Sequence, residues 1–96
     1  MVKTEPFDAA RYLASEEAQA ELLNDALASG SAAYVAQALG VIARARGMAK
    51  VAREAGVTRE ALYKSLSEDG DPRLTTLLGV LGALGVKLHA EIKPLS

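Results

Sequence analysis

Small and aliphatic residues recur every three or four positions through most of this sequence, and this spacing is typical of helices. The interior must be filled by alanine, leucine, valine and isoleucine, because only Phe7, Tyr12, Tyr34 and Tyr63 are aromatic. The 96 residues are enough for one domain and too few for two independent cores. We therefore predict a single domain over residues 1–96 that is all-α apart from its tail.

Capping residues and glycines divide the pattern into five to six helices. Asp, Ser and Thr cap helix starts through their side-chain oxygens, and Gly closes helix ends in a left-handed conformation. The predicted helices run from Asp8 to Leu13 with Phe7 as a hydrophobic staple, from Ser15 to Ser29, from Ala32 to Arg46, from Met48 to Ala55, from Thr58 to Leu66, and from Asp71-Pro72 to Leu84.

The last predicted helix is expected to bury four leucines, and Gly85 is expected to close it. Glycine inside a helix costs about 1 kcal/mol relative to alanine, so the interior glycines need a reason. We expect that Gly40, Gly79 and Gly82 each allow a neighbouring helix to pack closely. For Gly79 and Gly82, that helix can belong to the same chain or to the second copy in a dimer. The leucines are Leu74, Leu77, Leu78 and Leu81.

The tail changes period. From Val86 to Lys93, apolar residues alternate with Lys87, His89, Glu91 and Lys93, which is the two-residue repeat of a half-buried strand. A lone strand cannot satisfy its own backbone. We therefore expect this short C-terminal β-strand to pair with another chain, either in a homodimer or with a different protein.

Composition removes several classes of function. With no cysteine and one histidine, the chain lacks the residues for disulfides, thiolate zinc sites, cysteine nucleophiles and catalytic triads. We interpret His89 as a solvated or interface residue. The acidic stretch 68–71 lacks the spacing and the later bidentate carboxylate of a calcium loop. We expect no enzyme, no metal and no cofactor.

Neither export nor membrane insertion is indicated. The start, Met1 to Pro6, has no apolar signal core, and the longest apolar run, Leu74 to Val86, is shorter than the roughly 20 residues of a spanning helix. The lack of cysteine suits a reducing compartment. We expect a cytoplasmic protein with no membrane partner.

Charge is divided unevenly along a chain whose net charge is −1. Residues 1–31 carry Lys3 and Arg11 against six carboxylates, whereas residues 44–66 carry six cations against Glu54 and Glu60. Solvated helix faces would explain the division without any function. The alternative is two surfaces with different partners, one of them basic.

Residues 48–66 have the spacing of a helix-turn-helix. Ala52 lies where two short helices meet, and Gly56 takes the sharp turn between them. Val57 and Leu62 fill the angle between the helices, with Val51 on the same inner side. Any helical hairpin with this turn could share the pattern, but here the local positive charge agrees with it.

The outer face of the second helix is then predicted to enter the major groove of double-stranded DNA. Arg59 has the donor fork that matches guanine, and Glu60 can accept from cytosine or orient Arg59. Lys64 is assigned to phosphate or guanine, and Tyr63 to sugar, phosphate or a thymine methyl. Thr58 begins this outer face and can also meet a phosphate, and Lys50 and Arg46, which flank the first helix, are expected to neutralise backbone charge.

Nearly the whole chain resembles a known family. The stretches that carry the likeness are Phe7-Asp8-Ala9, Tyr12-Leu13, Leu39 to Met48, Leu62 to Ser67 and Ala83-Leu84-Gly85. With them the chain is similar to the small addiction-module antidote proteins, HigA-like antitoxins with a lambda-repressor-like (Xre-type) helix-turn-helix.

The resemblance implies a partner and a role. Members of that family neutralise a small basic toxin of the RelE/ParE-like class and bind their own operator DNA as dimers. This chain departs from the family pattern at Gly70-Asp71-Pro72, where Gly-Asn-Pro is usual, and at Leu74, where many relatives have an aromatic residue. Neither departure lies on the predicted reading helix.

The sequence thus predicts an antitoxin and transcriptional autorepressor. Within its single domain we expect an acidic helical region over 1–31, a helix-turn-helix core over 32–85 and a strand or tail over 86–96. A protein-interaction module that binds a basic toxin without reading DNA is the alternative, because the acidic N-terminal third suits a basic partner.

Overall fold

Side-chain caps and glycines set the helix ends. The computed structural model describes residues 15–94. At its start the Ser15 hydroxyl accepts a hydrogen bond from the Ala18 amide, 2.9 Å away. Ser31 caps the next helix in the same way, accepting from Tyr34 at 3.1 Å. The helices of the described range are α1 (Glu16–Ser29), α2 (Ala32–Arg46), α3 (Met48–Ala55), α4 (Arg59–Ser65) and α5 (Leu74–Ala83).

The observed bounds of the first four helices, α1 to α4, agree with the bounds predicted from the sequence to within a residue or two. The predicted ends of α2 and α3 are confirmed, and Gly47 separates the two helices by donating its N–H to the carbonyls of Ala43 and Arg44. The predicted helix from Asp8 to Leu13, with Phe7 as its staple, lies outside the described residues.

The core gathers around α3, which packs on α2, α4 and α5. The fully buried side chains of this core come from four helices. Burial of each one stabilises the fold by about 1.5–3 kcal/mol of transfer free energy. Since α3 is short and amphipathic, it is held by this burial more than by its own helix propensity. The largest of these side chains are Leu39, Ile42, Val51, Leu62 and Val80.

Two glycines allow close helix approach, as predicted. A Cβ on Gly40 would lie 2.7 Å from the carbonyl oxygen of Leu66, so α2 can touch the end of α4 only without a side chain there. A Cβ on Gly79 would lie 3.2 Å from the Ala55 carbonyl oxygen, where α5 crosses the end of α3. Gly82 differs, because a Cβ there would meet no atom of the described residues within 4 Å, and its packing across a dimer stays a prediction.

The fifth helix differs from its prediction in start and face. It begins at Leu74 after an extended Arg73, with no side-chain cap, so Asp71-Pro72 is not its start. Leu77 and Leu81 turn inward as expected, but Leu74 and Leu78 are 67% and 52% exposed. Because α5 is apolar on nearly every side, helical spacing alone could not choose its inner face.

The predicted C-terminal strand is absent from the described tail, residues 86–94. Gly85 ends α5 in the left-handed region at φ +73°, and the Val86 N–H donates to the Leu81 carbonyl at 2.9 Å. Beyond Val86 the tail makes no backbone hydrogen bond to the described residues. A strand needs a paired neighbour, and none of the residues from 15 to 94 supplies one.

Candidate nucleic-acid interface

The turn between α3 and α4 sets the direction of α4. Gly56 adopts φ +78°, a left-handed conformation that is cheap only for glycine. Across it the Val57 N–H donates to the Ala52 carbonyl at 3.0 Å, which closes α3. The Thr58 hydroxyl then accepts from the Ala61 amide at 3.0 Å and begins α4. The predicted roles of Gly56 and Thr58 as turn and cap are confirmed.

One side of α4 is fixed in the core, and this determines what the other side presents. Leu62 is fully buried and Leu66, just past the helix end, nearly so. Val57 packs against the same cluster. The opposite side of α4 is exposed to solvent and carries all four of its predicted groove-facing residues: Arg59, Glu60, Tyr63 and Lys64.

Two arginines meet the ring of Tyr63. The guanidinium carbon of Arg59 lies 5.5 Å from the ring centroid, and that of Arg44, on α2, lies 5.9 Å from it. Both distances are within the range of cation–π attraction. The Tyr63 side chain is also the main cause that raises the pKa of Arg59, and an arginine is charged at physiological pH in any case.

Arg44 is the residue that sequence reasoning missed at this site. Its place in the last turn of α2 suits the negative end of that helix, which is reason enough for a cation there. The structure turns its side chain toward α4 instead, beside a cleft of about 420 Å³ that Gln37, Ser67 and Glu68 also line. Gly40, one helical turn before Arg44, was the available signal, since a bare glycine there brings α4 close.

Lys50 and Arg46 are two further predicted phosphate contacts. Lys50 is exposed on α3. Arg46 is half-buried, and its Nε donates to the Oε1 of Gln19 at 2.9 Å, so its guanidinium joins α2 to α1. The structure therefore brings Arg59, Tyr63 and Arg44 together and places Arg46 toward α1.

The loop after α4 is negative. Glu68, Asp69 and Asp71 are all exposed, and they lie on the chain directly after the cationic face. Gly70 is held against the Ser65 carbonyl, where a Cβ would overlap the backbone. Carboxylates near this end of α4 repel phosphate and restrict how a duplex could approach.

The described residues offer neither a metal-binding cluster nor a membrane-spanning helix. Between residues 15 and 94, no three His, Asp or Glu side chains come together as a metal ion would require. No helix in that range is both long enough and apolar enough to cross a bilayer.

Comparison with known proteins places the chain in a family. Residues 3–92 match a family model described as "Probable addiction module antidote protein". The chain belongs to the addiction-module antidote family. An uncharacterized protein of Haemophilus influenzae is 42% identical to this antidote protein over 85 residues, which are 88% of either chain. No solved structure was found to match it.

Family membership gives the antidote protein one partner class, a toxin. The matched range contains all of α1 to α5 and most of the tail, so all five described helices belong to the family unit.

Proposed function

We propose that this antidote protein is a HigA-like autorepressor that binds operator DNA through a lambda-repressor-like (Xre-type) helix-turn-helix formed by α3 and α4. The observation that carries the proposal is the outer face of α4, where Arg59, Tyr63 and Lys64 are exposed beside Arg44. A rigid, cationic helix face is what the major groove accepts.

Roles on the duplex follow from side-chain chemistry. Arg59 reads guanine through its two parallel donors, and Glu60 accepts from a neighbouring cytosine amino group. Lys50 neutralises phosphate, and Arg44 takes the phosphate role that Arg46, bonded to Gln19, is less free to fill. Tyr63 holds Arg59 and touches sugar or a thymine methyl.

The experiment is a mobility-shift titration with the DNA upstream of the protein's own operon. Operator affinity should fall steeply as salt rises, because each neutralised phosphate releases counterions. A scrambled duplex of the same length and composition is the control. Absence of a retarded band at low salt would remove the DNA role.

A homodimer fits this reading. Leu74 and Leu78 form an exposed apolar pair one turn apart on α5, a helix with no charged residue. A second copy is its natural occupant, since a two-fold dimer pairs one patch with itself and presents two reading helices to two half-sites. Sedimentation should give a dimer for the unmodified chain and a monomer for Leu78→Glu.

The toxin in this proposal is a basic protein of the RelE/ParE-like class, encoded beside the antidote gene, and the complex forms in the cytoplasm. Support comes from α1, which has four carboxylates and no cation. Opposite charges speed the encounter of two proteins. Co-expression should rescue growth from the toxin, and the pair should purify together.

The second candidate function is toxin binding without DNA reading. The acidic loop at Glu68, Asp69 and Asp71 favours it, since it opposes phosphate near α4. The two candidates separate cleanly: the second predicts toxin neutralisation together with equal, weak binding to operator and scrambled DNA.

A further inference from the structure

A cleft of about 450 Å³ lies between α1 and the chain that follows α5. One wall is α1, from Glu16 to Leu27, and the other is the chain from Leu84 to His89. Ile42 and Arg46 of α2 complete the lining, to which α4 contributes no residue, so the cleft is separate from the candidate nucleic-acid interface. Pockets that hold small organic molecules have volumes of about 300–1,000 Å³, and this cleft lies within that range.

The apolar part of the lining comes largely from the core itself. Leu23, Ile42 and Leu84 line the cleft and belong to the buried core cluster. Leu27 and Leu88 line it with 39% and 47% of their surface exposed. An apolar group bound here would therefore contact the core and remove two exposed leucines from water, which favours binding.

Arg46 supplies a positioned positive charge. Its side chain is half-buried, and its Nε donates to the Oε1 of Gln19, which is only 5% exposed. This bond uses one of the five N–H donors of the guanidinium. No described residue accepts a hydrogen bond from its two terminal Nη groups. Arginine binds a carboxylate through paired donors of this kind, and here the group is held before any ligand arrives.

The other charges of the cleft also favour an anion. Lys87 and His89 lie on the tail wall, and Glu16 is the one carboxylate among the described lining residues. Arg46 and Lys87 thus exceed Glu16 in charge, and protonation of His89 would increase the excess. A bound carboxylate compensates this excess, whereas a cationic ligand would add to it.

We infer that the cleft binds a small organic acid that joins an apolar chain or ring to a single carboxylate. The carboxylate pairs with Arg46 and Lys87, and the apolar part lies on Leu23 and covers Leu27 and Leu88. A DNA phosphate could use the two cations, but it has no apolar part to cover the leucines. Neither proposed function requires this site, so the inference goes beyond both.

The first test varies the head group of the ligand. Octanoate is the probe, and its binding to the isotope-labelled full chain is followed by the NMR shifts of the backbone amides. The amides of Leu27, Val86 and Leu88 should shift together and saturate with a Kd of about 1 mM or lower, while those of α4 stay in place. Octanamide, which has the same chain and no charge, should bind at least about tenfold more weakly. Octylamine, which carries a positive charge, should bind more weakly still.

The second test varies the cations of the cleft. Arg46→Gln should weaken octanoate binding at least about tenfold, because the paired donors are lost. Arg44→Gln is the matched control, since Arg44 lies two positions away on the same helix and outside the cleft, and it should leave the affinity within about twofold. Lys87→Glu reverses a charge and should also weaken binding about tenfold. Because Lys87 is exposed on the tail, this variant tests the site without disturbing the core.

Four outcomes would overturn the inference. Equal binding of octanoate and octylamine would mean that charge does not select the ligand. Unchanged octanoate affinity in both Arg46→Gln and Lys87→Glu would mean that the carboxylate lies elsewhere. No saturable shift at about 10 mM octanoate would exclude a small acid and assign the cleft to a protein occupant. Loss of octanoate binding as the protein concentration rises would assign it to a second copy.

Discussion

The guanidinium of Arg59 lies over the ring of Tyr63, 5.5 Å from its centroid and one helical turn away on α4. Arg44 reaches the same ring from α2. An exposed arginine on an isolated helix samples many rotamers, and each must be given up when DNA binds. Contact with the ring restricts Arg59 before binding, so part of that entropy is already lost in the free protein.

Arg59 and Lys50 should respond differently to truncation. Arg59→Ala removes a base contact, so it should reduce discrimination between operator and scrambled DNA by about 1–3 kcal/mol. Lys50→Ala removes a phosphate contact, so it should weaken both duplexes alike and lower the salt slope by about 1. Titrations at several salt concentrations measure both quantities. A uniform loss for Arg59→Ala would place that side chain on phosphate.

The ring of Tyr63 should matter more than its hydroxyl. Tyr63→Leu removes the cation–π contact, worth about 0.5–1 kcal/mol at an exposed site, and should weaken operator binding by that amount. Tyr63→Phe keeps the ring and should retain most of the affinity. The Tyr63 side chain raises the pKa of Arg59, but arginine is charged at neutral pH without this effect. Equal losses in both variants would instead assign the effect to a hydroxyl contact with DNA.

Gly40 and Gly82 form a matched pair for testing how α4 is held. Gly40→Ala gains about 1 kcal/mol of helix propensity but drives a methyl group into the Leu66 carbonyl, an overpacking cost of about 1–3 kcal/mol. We expect lower stability and weaker operator binding, because the end of α4 must shift. Gly82→Ala meets open space and should stabilise the chain by up to about 1 kcal/mol.

Urea unfolding measures both glycine variants. A stabilised Gly40→Ala variant with intact operator binding would mean that α4 tolerates displacement, and the proposed role of the glycine contact would be wrong. The unfolding slope should stay the same in both variants, since neither changes the surface exposed on unfolding.

Local signals predicted most of this fold, and the failures share one cause. Caps and glycines set the bounds of α2 and α3 because those signals act within a few residues. The inner face of α5 depends on where α3 crosses it, which is at Gly79 against Ala55. Because α5 is almost wholly apolar, the spacing of its apolar residues does not indicate which face is buried. The alternation of apolar and polar residues in the tail fits a strand, but a strand forms only where the edge of another strand is present to pair with it.

The candidate site shows the same division. Exposure of Arg59 and Lys64 followed from the buried position of Leu62, three residues from one and two from the other. The contact of Arg44 with Tyr63 joins residues 19 positions apart on two helices, and no periodicity in the sequence encodes it. The hydrogen bond between Arg46 and Gln19 joins residues 27 positions apart, again on two helices.

Tyr34 should make stability depend on alkaline pH. Its hydroxyl donates to Asp25 and joins α2 to α1, and this hydrogen bond is the largest cause that raises the pKa of Tyr34 above 10.0. Because the raised pKa belongs to the folded state, the stabilisation by this hydrogen bond is complete below the ordinary tyrosine pKa. It is lost as the pH rises through the pKa of Tyr34 in the folded protein. The stability difference between the unmodified chain and Tyr34→Phe should therefore be constant at neutral pH and shrink above about pH 10.

Asp25→Asn should lower the pKa of Tyr34, measured as phenolate absorbance with Tyr34→Phe as the baseline. An unchanged titration in Asp25→Asn would mean that the carboxylate does not hold the phenol proton.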